Sequence, residues 1–469
     1  MSNNFDHFSE EDLNELTERF FKMKTNGDKV YFDVDEYEGL IDHFFDLEDA
    51  ENIEIALNLA LEQHPNNYEF LLKKAQLFAL HGNDEKGLKL LDELSSLGTD
   101  SDYFMVRGSI LSNLQKYREA IEEYTKALSQ GQDLEEVYTN IAFEYENLEQ
   151  YDKAIEFLTK VLVINPENEA AINEVGICFE MSNQSHIAVN FFNLFLDKHP
   201  YSRSGWFNLA ISYNSLEKNK KAIESYEFSL AIDENQASAL FNIANIYAGM
   251  GQHTQAIKYY KETLTKESPD ALTYYYLGES YEKLDDFDKA LNAYEDSYDL
   301  NSNFHESILG MARCYYSIGD ERKAFQHIDK AIDLKEPFPL FWSIRSLKLE
   351  EHGFFKLAKA LVLRLIKKNP KESIYYINLA VLLRSHTRVH SVQVLNDALL
   401  LFTDNTNRAD LLYIKGLYQI QDHKIKWGIK NFEKAILLDR DEFINPLIQA
   451  ELSNISNDEL TALIKKYKL

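Results

Sequence analysis

Alanine recurs at a fixed interval of 34 residues through the middle of the chain. Seven consecutive alanines keep this spacing: Ala154, Ala188, Ala222, Ala256, Ala290, Ala324 and Ala358. A longer phrase recurs around them, as in YDKAIEFLTKVLVINP at 151–166 and DFDKALNAYEDSYDLN at 286–301. A period of this size indicates a stack of small structural units, each in contact with its neighbours, rather than one compact domain.

The alanines mark an anchor position that the flanking sequence extends to twelve units. The outer anchors are Ile53, Gly87, Ala120, Val392 and Gly428, and the spacing is 34 except for one step of 33 and a last step of 36. Twelve residues before the anchor stands a small residue: Ala75, Gly108, Ala142, Gly176, Ala210, Ala244, Gly278, Ala312, Ser346, Ala380 or Gly416. Small residues on two facing helices allow a close approach, so each unit is predicted to be a tightly packed helix pair.

Large apolar residues complete the pattern of each unit. They stand sixteen and nine residues before the anchor and four after it, as Trp206, Tyr213 and Tyr226 do around Ala222. Spacings of three, four and seven place one apolar stripe on each helix. Glycine-containing breaks separate the two helices, and prolines such as Pro166 follow the second helix. The sequence therefore predicts an all-α chain of antiparallel helix pairs that bury their stripes by stacking.

These positions resemble the tetratricopeptide repeat over residues 34–440. The resemblance is carried by Trp206…Leu209-Ala210…Tyr213…Ala222…Tyr226 and by Tyr138…Ile141-Ala142…Tyr145…Ala154…Leu158…Pro166. It implies about twelve repeats in a right-handed superhelical α-solenoid, with the first helix of each pair on the concave face. We expect residues 1–33 and 441–469 to supply an N-terminal and a C-terminal capping helix.

Charge and cysteine content narrow the functional classes. The net charge of −28 disfavours general binding to nucleic acid or to an anionic membrane. From His352 onward, 18 Lys/Arg stand against 12 Asp/Glu, which gives +6 there and −34 on residues 1–351. These oppositely charged segments could bind each other between two copies of the chain, head to tail. Alternatively, the difference could reflect drift in surface composition. With two distant cysteines and no leader or membrane-spanning pattern in the given sequence, we expect a cytoplasmic protein.

The resemblance places candidate peptide-binding residues on the concave face. Asn140, Asn208 and Asn242 stand fourteen residues before their anchors, as does Asn378, and Phe207, Phe241 and Tyr275 stand fifteen before theirs. A carboxamide can both donate to and accept from a peptide bond, and an exposed aromatic ring can receive an apolar side chain. Glu279 and Glu282 add negative charge, so the expected partner is a basic or apolar-basic protein segment. The alternatives are that the amides bridge neighbouring helices and that the rings pack between them.

The sequence gives little support for carboxylate clamping, metal binding or catalysis. One subclass of the family clamps a carboxylate with basic residues and asparagines on consecutive first helices, but Glu174, Tyr276 and Glu279 occupy such places here. His386 and His390 have metal-ligand spacing without a nearby Cys or acidic partner, and a surface pair is the simpler interpretation. No catalytic, cofactor or metal site is therefore expected. The predicted function is a non-enzymatic protein-interaction scaffold, with a self-associating solenoid or a regulatory subunit of a larger complex as alternatives.

Overall fold

The computed structural model describes residues 10–26, 30–96, 98–130, 134–266, 268–334 and 339–439. These residues form α-helices joined by short turns, and no strand occurs among them. The chain divides into two units, Met1–Asn235 and Gln236–Leu469. The predicted C-terminal capping helix, 441–469, lies outside the described residues, so the division into caps and repeats stays a prediction.

The first unit contains thirteen helices among its described residues. They are α1 Glu10–Asn26, α2 Val34–Asp46, α3 Ala50–Gln63, α4 Tyr68–Leu80, α5 Asp84–Leu94, α6 Ser101–Asn113, α7 Tyr117–Leu128, α8 Leu134–Asn147, α9 Tyr151–Ile164, α10 Glu169–Met181, α11 Ser185–Lys198, α12 Arg203–Ser215 and α13 Asn219–Ile232. From α2 onward they form six helix pairs. Helix α1 contributes Leu16, Phe20 and Met23 to the core of the first pair.

The second unit contains six further pairs among its described residues. They are α14 Ala237–Gly249, α15 His253–Lys266, α16 Ala271–Glu282, α17 Phe287–Leu300, α18 His305–Ser317, α19 Glu321–Asp333, α20 Pro339–Glu351, α21 Phe355–Lys368, α22 Ser373–His386, α23 Arg388–Leu401, α24 Asn405–Gln421 and α25 Ile425–Leu438. The predicted all-α class of tandem antiparallel helix pairs is confirmed.

Small residues lie where the two helices of a pair cross, as the sequence predicts. The small residue Ala210 and the anchor Ala222 are both fully buried. In the last pair a Cβ atom on Gly428 would stand only 2.7 Å from the Gly416 carbonyl oxygen. Large side chains fill the adjacent space, since Tyr294 lies against both Gly278 and Gly310. The core therefore depends on alternating small and large residues at fixed positions of the period.

One anchor assignment is wrong. In the other eleven pairs the anchor is the fourth residue of the second helix, whereas in α23 that residue is Ser391 and not Val392. Ser391 is fully buried. The cause is a shorter hairpin, because Thr387 alone separates α22 from α23. The step from Ala358 is therefore 33 residues and the last step is 37.

The turn inside each of the other eleven pairs contains a residue in the left-handed region, five residues before the anchor. Four of these are glycines, among them Gly251 at φ 73°, and seven are other residues, such as Glu217 at φ 56°. This conformation lets the chain reverse within a few residues. The α22–α23 turn has no such residue, which agrees with its shorter path.

Candidate partner-binding surfaces

The first helices of the second unit line a groove centred on Glu279. Three adjoining concavities of about 310, 480 and 140 Å³ all include Glu279 and His352. Their walls come mainly from α14, α16, α18 and α20, with Tyr276 and Phe304 as aromatic walls. We call this feature the Glu279 groove. It is long and open, which suits an extended segment of a partner better than a compact small molecule.

A charged network lies along one side of the Glu279 groove. Arg313 donates from Nε and Nη2 to both carboxylate oxygens of Glu282, at 2.8 to 3.2 Å. The Tyr294 hydroxyl donates to Glu282 Oε2 at 2.6 Å and accepts from Arg313 Nη2 at 3.0 Å. Glu279 accepts from the Tyr275 hydroxyl at 2.5 Å. These bonds fix the side chains in place before any ligand arrives.

Burial and charge act in opposite directions on Arg313. Burial alone lowers the pKa of its guanidinium, but Tyr294 and Glu282 raise that pKa well above its ordinary value. The side chain therefore stays charged and neutralises Glu282. In the same concavity Arg345 pairs with Glu306. The acids that the sequence marked as a basic-ligand site are thus already partnered within the chain.

Four basic residues of the groove have no ion-pair partner among the described residues: Lys283, Lys348, His253 and His352. Lys283 and Lys348 are exposed, and His253 has a buried Nδ1 atom without a hydrogen bond. Burial, reinforced by Lys283, lowers the pKa of His253, although Glu279 opposes that change. The groove therefore offers free positive groups beside acids of which all but Asp285 are paired within the chain, so a purely basic ligand is not favoured there.

The predicted site residues fall into both units. Tyr275, Glu279 and Glu282 line the Glu279 groove, and Asn242 is half-buried on α14. The Phe241 ring packs 5.9 Å from the rings of both Tyr260 and Tyr276.

In the first unit, Asn140 is half-buried on α8 and the Phe207 ring lies 5.4 Å from that of Tyr226. The aromatic residues at this position therefore pack between helices, which is the alternative interpretation of them.

Asn208 is buried, contrary to the expectation that it is exposed. Only 5% of it is accessible, and its amide donates to Asn173 Oδ1 and to the Ser204 carbonyl, each at 2.9 Å. Asn378 is also buried and accepts from Ser343 at 2.7 Å. These amides bridge first helices of neighbouring pairs, because Gly176 and Ser343 leave room for them. An offset from the anchor does not reveal which side of the helix meets a neighbour.

A second surface, which sequence reasoning missed, lies on α8 and α10 of the first unit. Phe143, Ile177 and Met181 are 55%, 48% and 58% exposed. Phe143 and Ile177 stand at the same place in consecutive repeats, eleven residues before the anchor. That recurrence of an apolar residue was the available signal.

Glu146 and Glu174 lie beside these side chains. We call the five residues Phe143, Glu146, Glu174, Ile177 and Met181 the α8–α10 surface. The Cys178 thiol hydrogen-bonds to Glu146, which ties the two helices together at this point. Burial, and next the nearby Glu174 carboxylate, raise the pKa of Glu146 to about 7. No described residue forms an ion pair with Glu146 or Glu174.

Both cysteines are buried and free, as expected for packing residues. Burial raises the pKa of the Cys314 thiol to about 12. The His386 ring packs 3.8 Å from the ring of Phe355. Among the described residues no group of three or more His, Cys, Asp or Glu could hold a metal ion, and no helix has the length and apolarity to cross a membrane.

Comparisons with protein families identify tetratricopeptide repeats at residues 101–130, 135–168, 201–266 and 235–303. No curated protein matches the chain. One similar solved structure is the APC/C hetero-tetramer Cut9-Hcn1, at 17% identity over 95% of this chain and 96% of that chain, with a TM-score of 0.32.

Two more structures are the C-terminal part of a TPR repeat-containing protein from Cytophaga hutchinsonii and a tetratricopeptide repeat protein from Parabacteroides merdae. They show 16% and 19% identity over 51% and 53% of this chain, cover 98% of their own chains, and have TM-scores of 0.40 and 0.36. Scores this low carry no argument about shape or partner. The family matches, however, show that the chain contains tetratricopeptide repeats at the matched residues, within an array of twelve described helix pairs.

Proposed function

We propose that this protein is a non-enzymatic scaffold that binds segments of a partner protein along the exposed faces of its first helices. Tetratricopeptide repeats generally serve protein interaction. The observation that carries the proposal is the Glu279 groove, a long concavity whose wall residues are fixed by their own hydrogen bonds. A surface that is ordered before binding loses little side-chain entropy when a ligand arrives.

The groove and the α8–α10 surface call for different ligands. Paired acids and free lysines make the groove suited to a segment of mixed polarity, with Tyr276 and the 44% exposed Leu272 receiving apolar side chains. The basic or apolar-basic partner expected from the sequence is better matched by the unpaired acids of the first unit. A cytoplasmic location is part of this proposal, whereas head-to-tail association of copies stays the alternative to it.

Photo-crosslinking in the source cell tests the proposal. A photoreactive phenylalanine analogue replaces Tyr276, which lines the groove, and in a matched variant replaces Leu363, an exposed residue on second helix α21. We expect a protein adduct from position 276 and none from position 363, at equal expression. Equal adducts from both positions, or adducts from position 363 alone, would overturn the proposal.

A further inference from the structure

The first unit presents an exposed apolar patch that its own fold does not use. Phe143 and Ile177 occupy equivalent positions on α8 and α10, and Met181 lies one helical turn beyond Ile177. About half of each of the three side chains is accessible. Exposed apolar groups that cluster on neighbouring helices mark interaction surfaces more often than isolated ones do.

The charge around this patch has one sign. Helix α8, Leu134–Asn147, contains four glutamates, helix α10, Glu169–Met181, contains three, and neither helix contains Lys, Arg or His. Some of these glutamates are used internally: Glu169 pairs with Arg203, and Glu135 accepts from Asn165 and Asn168. Glu146 and Glu174, which flank the apolar side chains, have no such ion pair among the described residues.

Glu146 and Glu174 also repel each other. Burial disfavours the charged form of Glu146 most, and the negative charge of Glu174 disfavours it next. A cationic side chain placed between them would relieve this repulsion while its neighbours covered the apolar patch. A ligand that carries a positive charge next to apolar side chains would therefore complement this surface in both charge and polarity.

We propose that the α8–α10 surface is a docking site for an apolar-basic protein segment, whose lysine or arginine binds between Glu146 and Glu174 while adjacent apolar side chains cover Phe143, Ile177 and Met181. The proposal rests on the scaffold function above but names a different surface from the Glu279 groove. It also differs from recognition of a partner's C-terminal carboxylate, because the binding groups here are acids.

A binding titration with a defined probe tests this assignment. The probe is a fluorescent ten-residue peptide, LTALIKKYKL, which has the sequence of residues 460–469 and combines apolar side chains with three lysines. Its matched control, LTALIEEYEL, has glutamate at the three lysine positions. Fluorescence anisotropy with the full chain should show saturable binding of the lysine peptide and at least tenfold weaker binding of the glutamate peptide.

Protein variants locate the site. Ile177→Asp with Met181→Asp, and separately Glu146→Gln with Glu174→Gln, should each weaken binding of the lysine peptide at least fivefold, with helicity unchanged by circular dichroism. Leu194→Asp, at a 67% exposed apolar residue on second helix α11, is the matched control and should leave binding unchanged. Since all positions changed are partly exposed, folding should be retained.

The outcomes separate the two proposals. The docking site would be overturned if the lysine peptide showed no saturable binding with a dissociation constant below about 100 μM, which corresponds to a binding free energy of about −5.5 kcal/mol. Binding that is insensitive to the α8–α10 variants but lost in Glu279→Lys would also overturn it and would leave the groove as the binding site. Equal weakening by Leu194→Asp would show that the loss of binding is not specific to the α8–α10 surface, which likewise contradicts the docking site.

Discussion

The Glu279 groove and the α8–α10 surface occupy first helices of the same kind of repeat, yet they handle charge in opposite ways. In the groove Arg313 and Arg345 neutralise Glu282 and Glu306, so the wall is rigid and its acids are occupied. On the α8–α10 surface Glu146 and Glu174 have no ion-pair partner among the described residues, and the charge of Glu174 adds to burial in raising the pKa of Glu146. The comparison teaches that the repeat determines where the helices lie, whereas the charge pairing on their exposed faces differs from one repeat to another.

Because the acids of the groove are paired, removing the charge of Arg313 should lower the stability of the second unit strongly. Arg313→Ala leaves Glu282 and Tyr294 without their buried partner, and breaking a buried ion pair in this way costs about 3–5 kcal/mol. We expect a lower urea midpoint for the second unit. The matched control, Arg364→Ala, breaks the more exposed pair with Asp329 and should cost less than about 1 kcal/mol. Equal losses would show that the Arg313 network does not hold the groove.

A buried amide should have an intermediate effect. Asn208→Ala removes a side chain that bonds Asn173 and Ser204 between first helices, and loss of a buried hydrogen-bonding group typically costs about 1–3 kcal/mol. Thermal unfolding should therefore shift downward. The half-buried Asn242→Ala serves as the control and should shift it less. If Asn208→Ala melts like the wild type, the amide is not structural and the original interpretation as a ligand-binding residue returns.

Removing the charge of Glu146 from the α8–α10 surface should change the free energy of unfolding less, and should raise it instead of lowering it. The pKa of Glu146 is about 7 in the folded chain, against an ordinary 4.5, so the folded state holds the extra proton between these pH values. The stability that the raised pKa of Glu146 contributes is therefore fully present below about pH 4.5 and is lost as the pH rises through about 7. Glu146→Gln carries no such charge and should be more stable than the wild type at pH 8, by about 1 kcal/mol after screening by solvent.

The check is a comparison of denaturation midpoints at pH 5 and pH 8. The advantage of Glu146→Gln over the wild type should grow between these values. Glu180→Gln, at an exposed position on the neighbouring first helix α10, should show no such growth. A constant difference for Glu146→Gln would contradict the raised pKa of Glu146, to which burial and the charge of Glu174 both contribute.

Much of the fold could be predicted from the sequence because every repeat packs its two helices in the same way, with small and large residues at the same positions. Ala210 and Ala222 had to be small since two backbones meet there, and Tyr226 had to be large to fill the space beside them. The left-handed turn residue was missed because Glu217 and its equivalents have no common chemistry. The anchor Ser391 was missed because a one-residue deletion inside a hairpin is compensated in the next unit.

The binding surfaces were less predictable because they depend on which side chains meet across repeats. Arg313 and Glu282 are 31 residues apart, and only the stacking of α16 on α18 brings them together. Asn208 turns toward Asn173 since Gly176 leaves space for it. A sequence offset gives the position along a helix, whereas exposure and charge pairing depend on the neighbouring helix.

The most direct test of the central claim is a crosslinking map with the photoreactive analogue at four exposed or groove positions of the full chain in its source cell. Ile177 and Tyr276 represent the two first-helix surfaces, and Leu194 and Leu363 represent second helices. We predict partner adducts from positions 177 and 276 only, with different protein segments recovered at each. Adducts that come equally from second-helix positions would contradict the claim that the first helices carry the binding function.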